Sequence, residues 1–276
     1  MSLPGYDISG LTKQGSNLYA VGASATTEKA FLQKIPLNGS LLTATSTEVA
    51  LSGYVGTDVV STATKLYTTS GDNAGLNVFD LATLASSKET LIADARAVGL
   101  TAAGLPIVLS AQPGKVTNLS AAGDITGSAT LGGSATVHSK SSLKVGTKWS
   151  VASLGEGGFT VFCNADGSAI AHVPAITLPG IDPARTVTNA VTSHGGLVYA
   201  ANGEAGVYVY ALRDAASATS CGAGNLTLLG TLNFGDGFSP NGIYSNGAFL
   251  YVAGGLGGLK ILTTVFTTLS PVSGNI

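Results

Sequence analysis

A short phrase of sequence recurs six times along the 276-residue chain. Its two most similar copies run over 189–210 and 241–262, and each alternates extended runs with glycine turns around a tyrosine-bearing strand. The other copies are centred on Tyr19, Tyr67, Ile107 and Trp149. A period of roughly 40 to 50 residues is typical of architectures built from one repeated supersecondary unit. The repeat therefore constrains the fold before any single residue is considered.

Each copy predicts four short antiparallel strands. In the fifth copy, the runs 190–193, 197–201, 207–211 and 226–232 are rich in Val, Tyr, Leu and Thr and are separated by glycine or polar turns. Such composition and punctuation favour strands, and no useful length of the chain shows helical spacing of apolar residues. Four short antiparallel strands form the blade of a β-propeller.

We predict an all-β fold in which residues 1–276 form one six-bladed β-propeller of four-stranded antiparallel blades. Six repeats of about 46 residues account for the length, and a seven-bladed ring is the alternative. The innermost strands are predicted to begin near Ser9, Asp58, Arg96, Thr136, Asn189 and Asn241.

Three places fit the repeat less well. Pro106 falls inside the second strand of repeat three, which indicates an edge, a bulge or a slip of the alignment. In repeat four the alignment places His138 in the innermost strand and a long hairpin from Ser139 to Thr147. The last blade needs a fourth strand, which either 268–271 or the amino-terminal run 2–5 is expected to supply.

Charge and hydropathy exclude some classes of function. Charged residues make up 10% of the chain, its net charge is −2, and no basic run is present, so we do not expect it to bind nucleic acid. No apolar run reaches the roughly 18 residues of a transmembrane helix, and no signal peptide is recognisable. The low charge and abundant Ser, Thr, Ala and Gly are typical of a secreted bacterial protein. We therefore expect a mature fragment whose leader has been removed, located in the extracellular space, the periplasm or at the cell surface.

The segments 199–210 and 251–261 resemble the LVIVD-repeat propellers. The resemblance implies a bacterial or archaeal protein, exported or surface-attached, in a family of generally unassigned function. The acidic residue that often ends the third strand in that family is retained once, as Asp80. The motif is structural, so the resemblance implies a fold and a compartment rather than an activity.

The channel mouth is the predicted binding face. In a propeller, the links that enter the innermost strands lie on the same face as the turns between second and third strands. Unusual polar residues concentrate there, and the candidate ligand-binding residues are Asp58, Arg96, His138, Asp182, Arg185, Asn189, Asp236 and Asn241. No cofactor is required, but carboxylate and amide oxygens suit Ca²⁺ or another divalent cation, with Asp58, Asn189 and Asn241 as candidate ligands. The alternative is that Asp and Asn begin strands because their side chains cap turns.

The two cysteines are predicted to lie on adjacent blades at the opposite face. Cys163 ends the third strand of repeat four, and Cys221 lies in the following loop of repeat five. A disulfide is compatible with these positions and with an exported protein, and two unpaired cysteines are the alternative.

Three functions follow from this sequence. The first is a non-catalytic binding or scaffold module whose ligand is a protein, a glycan or a cell-wall component. The second is a metal-dependent hydrolase or lactonase-like enzyme, in which a channel cation held by Asp58, Asn189 and Asn241 would activate water. The third is a purely structural repeat within a larger surface protein. Bonds from the candidate ligands to the backbone would favour the first, and coordinated metal would favour the second.

Overall fold

The computed structural model describes residues 5–39, 41–43, 45–71, 74–213, 221–222, 224–235 and 238–264. Regular structure in these residues consists of strands and three short 3-10 helices, Pro183–Arg185, Gly203–Ala205 and Gly255–Gly257. None of the helical segments in these ranges has the length and apolarity needed to cross a membrane.

The strands form six antiparallel sheets in chain order. The first three sheets consist of β1 (Tyr6–Gln14), β2 (Asn17–Ser24), β3 (Lys29–Asn38), β4 (Leu41–Leu42) and β5 (Thr47–Ala50); β6 (Gly56–Ser61), β7 (Lys65–Ser70), β8 (Gly75–Asp80) and β9 (Ser86–Thr90); and β10 (Ala95–Leu100), β11 (Pro106–Ala111), β12 (Gly114–Leu119) and β13 (Ile125–Thr130). The last three consist of β14 (Ser141–Val145), β15 (Trp149–Leu154), β16 (Phe159–Cys163) and β17 (Ala169–Val173); β18 (Ala190–His194), β19 (Leu197–Ala201), β20 (Val207–Arg213) and β21 (Asn225–Leu232); and β22 (Gly242–Ser245), β23 (Phe249–Ala253) and β24 (Leu259–Thr263).

The prediction of a six-bladed β-propeller with four-stranded antiparallel blades is confirmed. In the first blade β5 supplies the outer strand, and the two-residue β4 extends the end of β3. The sixth blade has three strands within the described ranges. Of the two segments predicted to complete it, 268–271 and 2–5, only Gly5 lies within those ranges.

The recurrent glycine before the third strand has a steric cause. Gly75 and Gly206 have φ of +82° and +91°, in the region that side chains rarely adopt. A Cβ would lie 2.2 Å from the carbonyl oxygen of Thr90 in the second blade and 2.4 Å from that of Leu232 in the fifth. The third strand therefore begins against the end of the fourth, where only glycine leaves enough room.

The core lies between neighbouring blades rather than within one blade. Tyr67 is fully buried and packs with Val78 of its own blade and with Val98 of the next. Tyr19 and Tyr199 hold equivalent buried positions, and Trp149 is half-buried between the fourth and fifth blades. Burial of these large side chains stabilises the interfaces at which they lie.

The innermost strands are β1, β6, β10, β14, β18 and β22, and five of them begin within a few residues of their predicted starts. The prediction was wrong in the fourth blade, where the strand begins at Ser141 and not near Thr136. The segment 136–139 instead forms the link into the strand, which leaves a short β14–β15 hairpin at 146–148. Pro106 begins β11, a position that tolerates a residue without a backbone N–H.

Candidate functional site

The innermost strands enclose a cavity of about 660 Å³ at the face where they begin. All six blades contribute to its wall, through Ile8, Ser9, Thr57, Arg96 and the segments 139–144, 189–192 and 241–244. This size lies within the range of small-molecule sites. The cavity opens where the sequence placed the channel mouth.

Three innermost strands carry a β-bulge at the rim of this cavity. The strand pairing skips one residue between Ile8 and Gly10, between Gly56 and Asp58, and between Ala95 and Ala97. The extra residues are Ser9, Thr57 and Arg96, and all three line the cavity. A bulge bends its strand and redirects a side chain, so these blades direct a polar group to the mouth by the same device.

Asp58 joins the second blade to the third. Its Oδ1 accepts the backbone N–H of Val59 at 2.8 Å, and its Oδ2 accepts that of Val98 in β10 at 3.1 Å. Burial raises the pKa of Asp58 to about 6, although both hydrogen bonds act to lower it. The hydroxyl of Thr57 also donates across this interface, to the carbonyl of Ala95 at 2.9 Å.

Arg96 joins the third blade to the fourth. Its Nε donates to Oδ1 of Asp94 at 2.5 Å, and its Nη1 donates to the carbonyl of Ser139 at 2.9 Å. The Asp94 carboxylate compensates the charge of the guanidinium. Arg96 lines the cavity, but its guanidinium group already donates hydrogen bonds to Asp94 and Ser139.

Glu156, in the turn between β15 and β16, holds the link that leads into the fourth blade. Its Oε2 accepts the backbone N–H of Thr136 at 3.0 Å, and its Oε1 accepts the hydroxyls of Thr136 and Ser139. Burial raises the pKa of Glu156, but the hydrogen bonds from Ser139 and Thr136 outweigh it and leave the pKa below its ordinary value. These bonds are the physical reason that Thr136 stays in the link and does not begin the strand.

The fourth, fifth and sixth blades are joined in the same way. The hydroxyl of Ser142 accepts the backbone N–H of Val191 at 3.0 Å, which connects β14 to β18. Asn189 Nδ2 donates to Asn241 Oδ1 at 3.0 Å and to the carbonyl of Pro240 at 3.2 Å, which connects the fifth blade to the sixth. The structure thus brings the predicted residues Asn189 and Asn241 into direct contact.

Asp182 and Arg185 lie beside the mouth but do not line the cavity. Asp182 Oδ1 accepts the backbone N–H of Ala184 at 3.0 Å and caps the helix Pro183–Arg185, the role that the turn-capping alternative describes. Arg185 Nε donates to Oε1 of Glu204 at 2.6 Å, and its side chain is 61% exposed. An exposed ion pair of this kind contributes little to stability.

His138 does not line the cavity either. His138 was expected in an innermost strand, but it lies in a turn of the link and is exposed. That expectation was wrong because hydrogen bonds from Thr136 and Ser139 to Glu156 keep the segment 136–139 in the link. Asp236 lies outside the described residues.

The candidate metal ligands do not converge on one point. Asn189 and Asn241 contact each other, whereas Asp58 bonds to backbone between other blades and is not part of the cavity wall. Within the described ranges, no group of three or more His, Cys, Asp or Glu side chains could hold a metal ion. The divalent-cation site therefore stays a prediction, and each of its proposed ligands already has a hydrogen-bond partner.

The sequence prediction missed several residues of the cavity wall, and three of them carry charged or aromatic side chains. They are Lys140, Lys144 and Tyr244, which belong to the fourth and sixth blades. The misplaced start of the fourth innermost strand assigned both lysines to a hairpin on the opposite face. An alignment with Ser141–Val145 as the innermost strand would have placed both lysines at the channel, because one precedes this strand and the other lies near its end.

At the opposite face, a disulfide joins Cys163 and Cys221, with a Cα–Cα distance of 5.5 Å. Cys163 pairs with Trp149 in the β15–β16 register, so the bridge lies beside the only tryptophan of the chain. It links the fourth and fifth blades across 58 residues of sequence.

No protein-family model matches the chain, and no curated protein does. Solved structures match over nearly its whole length. A putative 6-phosphogluconolactonase from Bacteroides fragilis is 17% identical, with 92% of this chain and 79% of that chain covered and a TM-score of 0.69. A functionally unknown protein from Desulfotomaculum acetoxidans is 15% identical, with 96% and 84% covered and a TM-score of 0.69.

A similar match is the β-propeller domain of Cps50 (Swd1) from Myceliophteria thermophila. It is 12% identical, with 94% of this chain and 84% of that chain covered and a TM-score of 0.63. At such identities the similarity shows the fold alone, since one propeller fold carries many unrelated activities.

Proposed function

We propose that this protein is a non-catalytic binding or scaffold propeller that holds its ligand at the channel-mouth face. It acts outside the cytoplasm, in the extracellular space, in the periplasm or at the cell surface. Its ligand is a protein, a glycan or a cell-wall component that presents polar groups to the cavity.

The side-chain hydrogen bonds that join the second to the sixth blades, each to its neighbour, around the mouth carry this proposal. Asp58, Arg96 and Asn189 each bond across a boundary between blades. Such bonds fix the positions of the innermost strands, so the cavity is formed before a ligand binds. Binding then costs little conformational entropy, because few side chains of the wall need to become ordered. A cation bound by Asp58 would first have to displace the backbone N–H groups of Val59 and Val98, and one bound by Asn241 Oδ1 would have to displace the amide of Asn189.

The disulfide between Cys163 and Cys221 supports the location outside the cytoplasm. Disulfides persist in oxidising compartments and are rare in reducing ones. The resemblance of the segments 199–210 and 251–261 to exported propellers supports the same location.

A pair of matched substitutions tests the binding site. Ser9→Trp fills the mouth from an exposed bulge position, and Ser16→Trp places the same side chain in the exposed β1–β2 turn at the opposite face. Thermal unfolding is followed with a panel of saccharides, peptidoglycan fragments and divalent cations. A ligand at one hundred times its Kd stabilises the folded state by about 2.7 kcal/mol.

The wild-type protein and Ser16→Trp should both be stabilised by the ligand, and Ser9→Trp should lose the effect. A ligand that stabilises both variants equally would place the site elsewhere and contradict the proposal. Stoichiometric metal in the purified protein, together with hydrolysis of a lactone, would favour the enzyme over the binding module.

A further inference from the structure

Two lysines give the wall of the cavity positive charge that no carboxylate among the described residues balances. Three cationic residues line it, Arg96, Lys140 and Lys144, and no Asp or Glu does so within the described ranges. The ion pairs in that part of the chain join Lys88 to Asp124, Arg96 to Asp94, and Arg185 to Glu204. Arg96 is therefore compensated, whereas neither lysine forms an ion pair with a residue that the structure describes. The imbalance is local, because the whole chain has a net charge of −2.

The two lysines lie along one side of the same innermost strand. Lys140 precedes β14 by one residue, and Lys140, Ser142 and Lys144 alternate with residues of the other face. Ser142 accepts the N–H of Val191, so this side is directed towards the fifth blade. Four residues of extended chain span roughly 13 Å, with Lys140 nearer the mouth and Lys144 deeper.

Lys144 reaches across to the sixth blade. Its Nζ lies 5.8 Å from the ring centroid of Tyr244, whose side chain is 54% exposed. Tyr244 in turn packs against Tyr251, with ring centroids 6.0 Å apart. A supported aromatic ring beside an ammonium group offers an apolar surface and a charge to the same ligand.

The wall also holds a buried hydroxyl group that lacks a partner. Thr192 is 1% exposed and lines the cavity, and its hydroxyl has no hydrogen-bond partner among the described residues. Buried polar groups in native proteins are nearly always satisfied by protein, water or ligand. The Thr192 hydroxyl therefore marks where an oxygen-rich molecule can be bound.

We propose that the channel binds a negatively charged saccharide, either a sugar acid or a sugar phosphate. The anionic group lies at Lys140 and Lys144, the sugar ring lies against Tyr244, and a sugar hydroxyl faces Thr192. A divalent cation would be repelled by both lysines, and a neutral sugar would leave them unused. This proposal rests on the proposed binding function and specifies its ligand class.

Four related probes test the charge requirement by isothermal titration calorimetry on the full chain: glucuronate, glucose 6-phosphate, glucose and inorganic phosphate. We expect at least one charged sugar to bind at least tenfold more tightly than both glucose and inorganic phosphate. The carboxylate and phosphate sugars distinguish the two sources of charge. Raising the ionic strength from about 50 mM to about 300 mM should weaken the binding, because screening shortens the reach of the ammonium groups.

Substitutions at the wall give the second arm of the experiment. Lys140→Gln and Lys144→Gln should each weaken binding of the charged sugar about tenfold. Lys148→Gln, at an exposed site in the β14–β15 hairpin of the same blade, should leave it unchanged. Lys140 is exposed, so its replacement leaves a folded protein in which the proposal remains testable if Lys144→Gln fails to fold.

Three results would overturn the proposal. Glucose that binds as tightly as the charged sugars, with loss of binding in Ser9→Trp, would refute the charge requirement and leave the binding site at the mouth intact. Inorganic phosphate that binds as tightly as glucose 6-phosphate would show an anion site without sugar recognition. If no probe binds and no ligand of the wider panel depends on Ser9, the proposed function fails together with its ligand class.

Discussion

Asp58 makes stability depend on pH in the direction opposite to that of an ordinary paired carboxylate. Its oxygens accept the N–H groups of Val59 and Val98 at 2.8 Å and 3.1 Å, inside the boundary between the second and third blades. Burial raises its pKa from 3.8 to about 6, because desolvation disfavours the charged form. Asp58→Asn removes this titration and preserves the size of the side chain.

The sign of the effect follows from proton binding. Between the unfolded pKa of 3.8 and the folded pKa of about 6, the folded state holds more protons at this residue than the unfolded state does. The free energy of unfolding therefore falls as the pH rises through this window. A shift of about two pKa units corresponds to about 3 kcal/mol at about 1.4 kcal/mol per unit. The stability that Asp58 contributes is fully present below its unfolded pKa of 3.8 and is lost above its folded pKa of about 6.

Urea unfolding at several pH values between about 4 and about 7.5 measures this contribution, with the single Trp149 as the fluorescent probe. The stability of the wild type relative to Asp58→Asn should be greater at the acidic end by up to about 3 kcal/mol. Taking the difference between the two proteins removes the carboxylates that they share.

Asp166→Asn is the matched control. Hydrogen bonds from the backbone N–H and hydroxyl of Ser168 lower the pKa of Asp166, so its contribution is present at neutral pH and is lost on acidification. The difference from wild type should therefore stay nearly constant over most of the assayed range and begin to change in the opposite sense only near pH 4, close to the unfolded pKa of 3.8. A difference for Asp58→Asn that is flat, or that grows as the pH rises, would refute the assignment of a raised pKa.

Three further predictions concern how the blades are held together. Cys221→Ser should lower the free energy of unfolding in urea by about 2–4 kcal/mol under oxidising conditions, because the disulfide restricts the unfolded chain. The same substitution should have no effect under reducing conditions. Equal effects under both conditions would argue against the disulfide. Asn189→Ala and Asn241→Ala should each lower the free energy of unfolding by about 1 kcal/mol, and a double-mutant cycle should show that the two losses are not additive. Additive losses would mean that the two amides do not interact. Gly206→Ala should destabilise the protein by more than about 1 kcal/mol in thermal unfolding, because Gly206 has a positive φ and a carbonyl oxygen close to the added Cβ. Gly230→Ala, whose added Cβ has no atom within 4 Å, should cost little. Similar losses in the two variants would refute the steric explanation.

The sequence could place most of the candidate site but not its contacts. Ser9, Asp58, Arg96, Asn189 and Asn241 were placed near the starts of innermost strands from the repeat alone, because a period of strands and turns positions each copy around the ring. Their partners lie up to 52 residues away, as between Asn189 and Asn241, and no local pattern indicates that separation.

The fourth blade shows where this reasoning fails. The residues 136–138 read as extended chain as readily as 141–145 do, and both runs precede β15. Long-range bonds from Glu156 to Thr136 and Ser139 decide between them, and these bonds form only when the turn of the blade folds back onto its link. The shift in register moved His138 off the channel wall and brought Lys140 and Lys144 onto it.

The sequence by itself determined the number of blades, the order of strands and the positions of the turn glycines, because strand periodicity and backbone sterics act over a few residues. Only the tertiary structure decided which polar groups face the channel and which join the blades. The reason is that closing the blades around one axis brings residues together that are about 40 to 50 positions apart, and their burial and pairing then fix their charge state and partners.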